Sequence, residues 1–469
     1  MKYFIPKGTR DFSPIETYNR NFLIKTIKKC FKIFGFYPLE TPSIENISTL
    51  NEKYGEEVEF LIFKILNSGN TLRKGILNFL KEIDKSNNIK TNIYNNQIVY
   101  RFLSNKALRY DLTVPFIRYI IMNKNRIFFP FKRYQIQPVW RSEKPQKGRF
   151  REFYQSDADI VSRSYSLWSE IELIKLCDYI FTKLNLSIII YINHIYILKG
   201  IVELIGIKDN LWKDFIIILD KWNKIGENEV KKEMLNKGIT LQSFNDIKYL
   251  IKRNESFQNK KKFFEKKFQY SNKGKIGLKE ISFIYETLEN ISLYKTKLKW
   301  NISLARGINY YTGIIWEIIP NKQNNYNSIG GGGRYDKLIN LFGMKNIYGT
   351  GISFGLDRIY LAMEKENLFK INKYNFFPSK IMFINFGDKE SIYSYKLLDL
   401  LRKKGISTQL YPNVSNINKQ FKYAYDNNIK FVIMIGENEI KNNKIKMKNT
   451  KNKIEVEYNN INDLINDII

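Results

Sequence analysis

The sequence predicts an α+β chain in three parts: a domain built on an antiparallel sheet, a helical insertion within it, and a small C-terminal α/β domain. Three observations lead there. Two strand-like runs, residues 126–141 and 151–161, flank the charged loop SEKPQKGR (142–149), which makes them an antiparallel hairpin. Residues from about 190 to 295 are helical in texture, Lys-rich and poor in glycine; glycine then returns sharply in ARGINYYTG (305–313), SIGGGGRYDKL (328–338) and YGTGISFGLDR (348–358). Beyond Pro378, strand-like KIMFINF (380–386), STQLY (407–411) and KFVIMIG (430–436) alternate with helical stretches at 389–404 and 416–427, a βαβ-type pattern with a mostly parallel sheet.

From the N-terminus, residues 16–34 carry Phe22, Ile27, Phe31 and Phe34 on a helical period, with Gly35 as the expected helix stop. FYPLETPSIE (36–45) follows as an extended segment punctuated by Pro38 and Pro42. RYDLTVP (109–115) is read as extended too, so Asp111 and Thr113, two apart, share a face. Asp157 and Asp159 share a face of the return strand in the same way, with Gln155 beside them. In residues 254–270, Phe257, Phe264 and Phe268 fall on one side of a helix and lysines on the rest. That suits a solvated helix packed by one face, with an RNA-facing helix as the alternative. Residues 351–363 read as a short strand and then a helix beginning near Gly355.

Composition narrows the function. A chain of 469 residues with 43% hydrophobic and 15% aromatic side chains has material for two or three cores. Lys and Arg number 77 against 46 Asp and Glu, a net charge of +31 that favours a polyanionic partner. The chain is also crowded with Ile, Asn and Lys, as in genome-wide compositional drift, so charge by itself is weak support for nucleic acid. Cys30 and Cys177 lie far apart without metal-ligand spacing, which argues for a reducing compartment and against a disulfide framework or structural zinc. The single histidine, His194, sits in an apolar run and reads as structural, which argues against hydrolase triads and histidine-ligated metals. The start has no apolar signal core, and the longest apolar stretches fall far short of the ~20 residues of a membrane span. A soluble, cytosolic protein without a membrane partner is expected.

The residues that carry chemistry are arginines, glycines and carboxylates. Arg141, Arg149 and Arg151 flank the hairpin loop, and guanidinium forks suit phosphates. Arg358 falls in the first turn of a helix, where a positive charge opposes the macrodipole unless an anion binds. SIGGGGRYD lacks the Gly-Lys-Ser/Thr of a phosphate-binding loop. Its four glycines before Arg334 suit a backbone that lies close to a ligand or another chain. Carboxylates on a sheet that also bears arginines suit a ligand with an amine at one end and a phosphate at the other, the polarity of an aminoacyl adenylate.

These residues resemble a known family. FKRYQIQPVWRSEKPQKGRFREFYQSDADI (131–160) looks like the second signature motif of class II aminoacyl-tRNA synthetases, YGTGISFGLDRIYLAM like the third, and the helix and strand ending in GFYPLETPSIE like the first, which contributes to a dimer interface. ARGINYYTG followed by GGGGRYD is the narrower signal: it resembles the histidine-recognition segments of histidyl-tRNA synthetases. KGTRDFSP and IGENEIKNNKIKMKN also look like that family, and the resemblance covers essentially the whole chain. It implies a catalytic domain at 1–190 and 298–370, a helical insertion at 191–297 and an anticodon-binding domain at 379–469. ATP as substrate, Mg²⁺, histidine, tRNA(His) and a homodimer come with it.

By the same likeness, Arg141 holds the ATP α-phosphate and the histidine carboxylate, Arg149 the outer phosphates, and Arg358 covers the ATP from the other side. Arg306 matches the arginine set against the α-phosphate. Asp111, Thr113 and Gln155 match residues around the α-amino group; Asp159 and Tyr311 match those reading the imidazole, and Tyr310 lines the same pocket. Lys144 and Gln146 match the loop expected to read the tRNA acceptor end. The chain departs from the family at Asn309, where aspartate is usual, and at Lys144, where bacterial relatives often have arginine. A regulatory paralogue of the fold is the competing reading, but such paralogues lose the C-terminal domain and catalytic arginines, and both stand here.

Overall fold

The computed structural model describes residues 3–54, 61–85, 96–146, 148–253, 255–306, 311–321, 328–369 and 379–468. Its strands, in chain order, are β1 (Tyr37–Pro38), β2 (Ile44–Asn46), β3 (Lys64–Ile65), β4 (Lys106–Leu108), β5 (Phe131–Trp140), β6 (Glu152–Ser162), β7 (Ile188–His194), β8 (Lys297–Trp300), β9 (Ile314–Pro320), β10 (Gly330–Arg334) and β11 (Tyr348–Gly355). Eight of these form one sheet in the order β1-β5-β6-β11-β10-β9-β7-β8; β2, β4 and β3 form a small separate one. The large sheet is antiparallel except at its edges, where β1 runs parallel to β5 and β8 parallel to β7. The chain divides into two compact units, Met1–Leu368 and Phe369–Ile469.

Helices cover one face of the large sheet. Ser13 opens the helix Pro14–Ile33 with a reciprocal cap: its hydroxyl accepts from the Glu16 amide at 3.3 Å, and Glu16 Oε2 accepts from the Ser13 amide at 2.8 Å. Leu23, Ile27, Cys30 and Phe31 are its buried stripe, and Phe31 stacks on Tyr134 of β5 with ring centroids 5.0 Å apart. Phe22, on the same expected period, lies toward solvent. The helix ends as expected, with Gly35 at φ +73°.

The helix Phe257–Lys267 buries Phe257 and Phe264, and Phe268 at its end, which is the one-faced packing expected. The stretch expected to be helical, from about residue 190, nevertheless begins in sheet. β7 runs through residue 190 and pairs with β9, and β8 follows the helices at the sheet edge. Ile188, Ile190 and Ile192 of β7 are buried, and this alternation of β-branched side chains explains the strand.

His194 ends β7 and caps the helix Ile195–Leu204, accepting from the Tyr196 amide at 2.9 Å through Nδ1 while Nε2 meets Glu280 at 2.9 Å. Burial lowers its pKa, and the ring joins two elements. The two cysteines are free and buried. No helix among the described residues is long and apolar enough to cross a membrane.

The second unit carries β12 (Ile381–Phe383), β13 (Thr408–Leu410), β14 (Phe431–Met434), β15 (Ile445–Asn449) and β16 (Glu455–Tyr458), in the order β13-β12-β14-β15-β16. The first three pair in parallel around the helices Asp388–Lys403 and Ile417–Asp426, as the sequence suggests. The last two add an antiparallel ribbon, so the sheet is mixed rather than mostly parallel. That ribbon buries Ile445, Met447 and Tyr458 but leaves Glu455 and Val456 outside.

Candidate active site

Two rows of side chains cross one face of the large sheet. Strand register sets Arg133 opposite Asp159, Asp159 opposite Gly351, and Gly351 opposite Gly333. Two residues along, it sets Gln135 opposite Asp157, Asp157 opposite Ser353, Ser353 opposite Gly331, and Gly331 opposite Glu317. Opposed residues in a ladder share a face, and so do residues two apart on a strand. Both rows therefore look onto one side of the sheet, roughly 7 Å apart along the strands.

The glycines keep part of this floor bare. A Cβ on Gly331 would stand 2.1 Å from Arg306 Nη1, and one on Gly333 would stand 3.0 Å from the Tyr311 ring. The arginine and the tyrosine thus lie directly on the backbone of β10, which is the close approach that the glycine run suggests.

Arginines gather at one end. Arg306 Nη1 donates to Ser328 Oγ and to the Gly330 carbonyl, each at 3.1 Å, and stands 3.6 Å from Glu317. Arg358, in the first turn of the helix Leu356–Lys365, donates to the carbonyls of Gly148 at 3.1 Å and Ser328 at 2.7 Å. Arg141 donates to the Tyr110 carbonyl at 3.2 Å and lies over the Tyr110 ring, 4.3 Å from its centroid. Arg149 lies 3.8 Å from Glu143. Burial, with the like charges of Arg149, Arg306 and Arg141, pushes the Arg358 pKa down to about 10. Four guanidiniums close enough to repel one another form a site that an anion relieves.

Carboxylates gather at the other end. Asp159 is buried: its Oδ1 accepts from the Tyr335 hydroxyl at 2.5 Å, and its Oδ2 pairs with Arg133 at 2.8 Å. Asp157 is buried beside it, and Gln155 Nε2 donates to Ser353 Oγ at 2.8 Å. Desolvation first, opposed by Arg133 and reinforced by the neighbouring Asp159 and Asp111, raises Asp157 well above the usual carboxylate range. Asp159 is raised as well, again chiefly by burial.

Asp111 corrects the local reading of its segment. Thr113 is the first residue of the helix Thr113–Met122, not part of a strand. Asp111 Oδ1 caps it by accepting from the amides of Thr113 at 3.0 Å and Val114 at 3.1 Å. Pro115 fits because it stands in the first turn, where no intrahelical partner is needed for its nitrogen. Asp111 remains near Asp157 and Asp159, since its charge acts on both.

Arg141, Arg149, Arg306 and Arg358 are thus brought together, as are Asp111, Gln155 and Asp159; Thr113 adjoins Asp111, and Tyr311 lies across β10. Arg151, grouped with the loop arginines by sequence, turns instead to the carbonyls of Glu143 at 3.2 Å and Lys7 at 3.4 Å. Arg334 is buried on Glu170, with two contacts of 2.7 Å, and supports the fold. Lys144 and Gln146 are exposed in the hairpin loop, where the Gln146 and Arg149 backbones pair at 2.8 and 3.1 Å. Tyr310 and Asn309 lie outside the described residues. Arg133, Ser353 and Tyr335 escaped the sequence reading: their signal is cross-strand register and a tertiary contact, neither visible in local spacing.

A family model described as Histidyl-tRNA synthetase matches residues 100–359, and one described as Anticodon binding domain matches residues 380–468. The histidine–tRNA ligase of Christiangramia forsetii is 47% identical over 452 residues, covering 96% of each chain. That of Flavobacterium johnsoniae is 46% identical over 469 residues, covering 97% of each. Among solved structures, a histidyl-tRNA synthetase from Nostoc sp. PCC 7120 matches with a TM-score of 0.77 at 26% identity, over 100% of this chain and 99% of that one. The apo S. aureus histidyl-tRNA synthetase, at 18% identity and a TM-score of 0.66 over 99% of each chain, shares the fold. By the family model, the full-length relatives and the fold together, the chain belongs to the histidyl-tRNA synthetase family.

Proposed function

We propose that the polarised face of the sheet activates histidine with ATP and then passes it to the 3′ end of tRNA(His). The observation that carries this reading is the separation of charge: four arginines at one end and three aspartates at the other. An aminoacyl adenylate has the matching polarity, with its phosphate toward the arginines and its ammonium toward the carboxylates.

In the first step a histidine carboxylate oxygen attacks the α-phosphorus of ATP in line, and the bond to the β,γ-bridged pyrophosphate breaks. Both reactants are anions, so the work of the site is alignment and positive charge. Arg141 bridges the α-phosphate and the amino-acid carboxylate, Arg306 faces the charge developing at phosphorus, Arg149 takes the outer phosphates and Arg358 the opposite side of the nucleotide. Glu143 and Glu317, the carboxylates beside these arginines, are the residues that would hold Mg²⁺, which supplies further positive charge to the phosphate oxygens when bound. In the second step the terminal ribose hydroxyl attacks the adenylate carbonyl, the ester forms and AMP leaves. No protein nucleophile enters either step.

Asp111, Thr113 and Gln155 surround the α-ammonium. Asp159 and Tyr311, in the row of Gly351 and Gly333, take the two nitrogens of the imidazole, and the family likeness assigns Tyr310 to the same pocket. A neutral imidazole has one N–H and one bare nitrogen, and a carboxylate with a tyrosine hydroxyl satisfies both. A competitor lacking either leaves a buried polar group unpaired, enough for discrimination of about 10⁴–10⁵. Lys144 and Gln146 reach for the acceptor end of the tRNA, the second unit reads the anticodon, and the protein works as a cytoplasmic homodimer. Charging of a tRNA(His) transcript with labelled histidine tests this reading; folded protein that leaves the transcript uncharged at any ATP concentration contradicts it.

A further inference from the structure

Asp111 is the carboxylate that the family likeness assigns to the substrate ammonium, yet one of its oxygens is already engaged twice, at 3.0 and 3.1 Å, by the helix it caps. On β6 the situation is different. Gln155 Oε1 and Asp157 Oδ1 are both buried and have no hydrogen-bond partner among the described residues. They are two residues apart on one face of the strand. Ser353 joins them: it accepts from Gln155 Nε2 at 2.8 Å and donates to the Asp157 carboxylate. Two unsatisfied acceptors of this kind are costly in a native core unless a donor arrives.

An ammonium is that donor. The charged groups facing Asp157 are Arg133 on β5, Asp159 on its own strand and Asp111 before the helix Thr113–Met122, with the Ser353 hydroxyl on β11. Three carboxyl groups against one guanidinium leave the pocket short of positive charge. An ammonium has three N–H bonds to give and one charge to add.

We propose that Asp157 is a specificity-determining residue of the amino-acid end of the site, accepting a hydrogen bond from the α-ammonium of the substrate through Oδ1, with Gln155 Oε1 beside it. The proposal rests on the histidine-activating reading above. It makes Asp157, not only Asp111, the group that distinguishes histidine from the same molecule without its amine.

The test compares the full-length protein with Asp157→Asn, measuring by calorimetry the affinity for histidine and for 3-(imidazol-4-yl)propanoate, which lacks only the ammonium; ATP affinity controls for folding. Asp157→Asn keeps an acceptor oxygen but removes the negative charge that the ammonium draws out on binding, so it is expected to weaken histidine about tenfold to a hundredfold and to leave the amine-free analogue and ATP within about twofold. Equal losses for histidine and the analogue, or no loss for either, would overturn the proposal while leaving the histidine-activating reading standing. Wild-type protein that binds ATP but not histidine overturns the reading beneath it instead.

Discussion

Arg306 is held by neutral acceptors, Ser328 Oγ and the Gly330 carbonyl, with Glu317 farther off at 3.6 Å. Its positive charge is therefore only partly compensated, and it lies against the sheet floor where the proposed reading puts the α-phosphate. Arg306→Ala removes that charge without opening a core cavity, because the side chain is partly exposed. Adenylate formation is expected to fall by about 10²–10³-fold, as for the loss of a positioned transition-state donor, with the melting temperature unchanged. Turnover near the wild-type rate excludes the catalytic role. Asp157 shows the cost of such a site in stability. Its carboxyl titrates well above the ordinary range in the folded chain, so the folded state holds a proton that the unfolded state has lost above about pH 4. The stability this proton contributes is full below about pH 4 and disappears as the pH rises toward the folded value. Asparagine carries no such dependence, so substrate-free Asp157→Asn should gain melting temperature relative to the wild type between pH 4 and pH 8. A constant difference across that range, or a relative loss at the higher pH, contradicts the assignment of the shift.

Among the elements, β10 ties sequence to chemistry most directly. Four consecutive glycines are poor strand formers, and β10 is held instead by pairing with β9 on one side and β11 on the other. The absent side chains are what allow Arg306 and Tyr311 to rest on it. Gly331→Ala would drive a methyl group into Arg306 Nη1, at 2.1 Å, and against the Trp316 carbonyl, at 2.8 Å. Overpacking of this kind costs about 1–3 kcal/mol, and the movable partner is the arginine. The expected outcome is a folded protein whose exchange rate drops nearly as far as that of Arg306→Ala; retention of activity would show that Arg306 works from elsewhere. The hairpin β5–β6 was legible from alternation and its charged loop, and the helix after β11 from its glycine start. Other features were hidden for physical reasons. Asp111 caps a helix that RYDLTVP disguises, because Pro115 in a first turn looks locally like an extended segment. The β15–β16 ribbon was missed because lysine, asparagine and glutamate dominate residues that bury only every second or third side chain. The Arg133–Asp159 pair depends on strand register, which no single segment encodes.

For the molecule as a whole, chemistry and anticodon reading are assigned to separate compact units, Met1–Leu368 and Phe369–Ile469. The second unit has its own core, including Phe383, Leu398, Ile433 and Leu464, and every residue assigned to the adenylate lies in the first. Removal of residues 379–469 should therefore spare adenylate formation and weaken tRNA charging; unchanged charging kinetics would refute the anticodon role. The separate C-terminal α/β unit was readable from its alternation of strands and helices, whereas the strand β7 was not, because it is short and completed only by the sheet it joins. The measurement that bears most directly on the central claim is ATP–pyrophosphate exchange, run without tRNA, with each amino acid in turn. Exchange driven by histidine alone is the expected result and would tie the arginine end and the aspartate end to one reaction. Folded protein that gives no exchange with histidine, or gives it equally with other amino acids, contradicts the account.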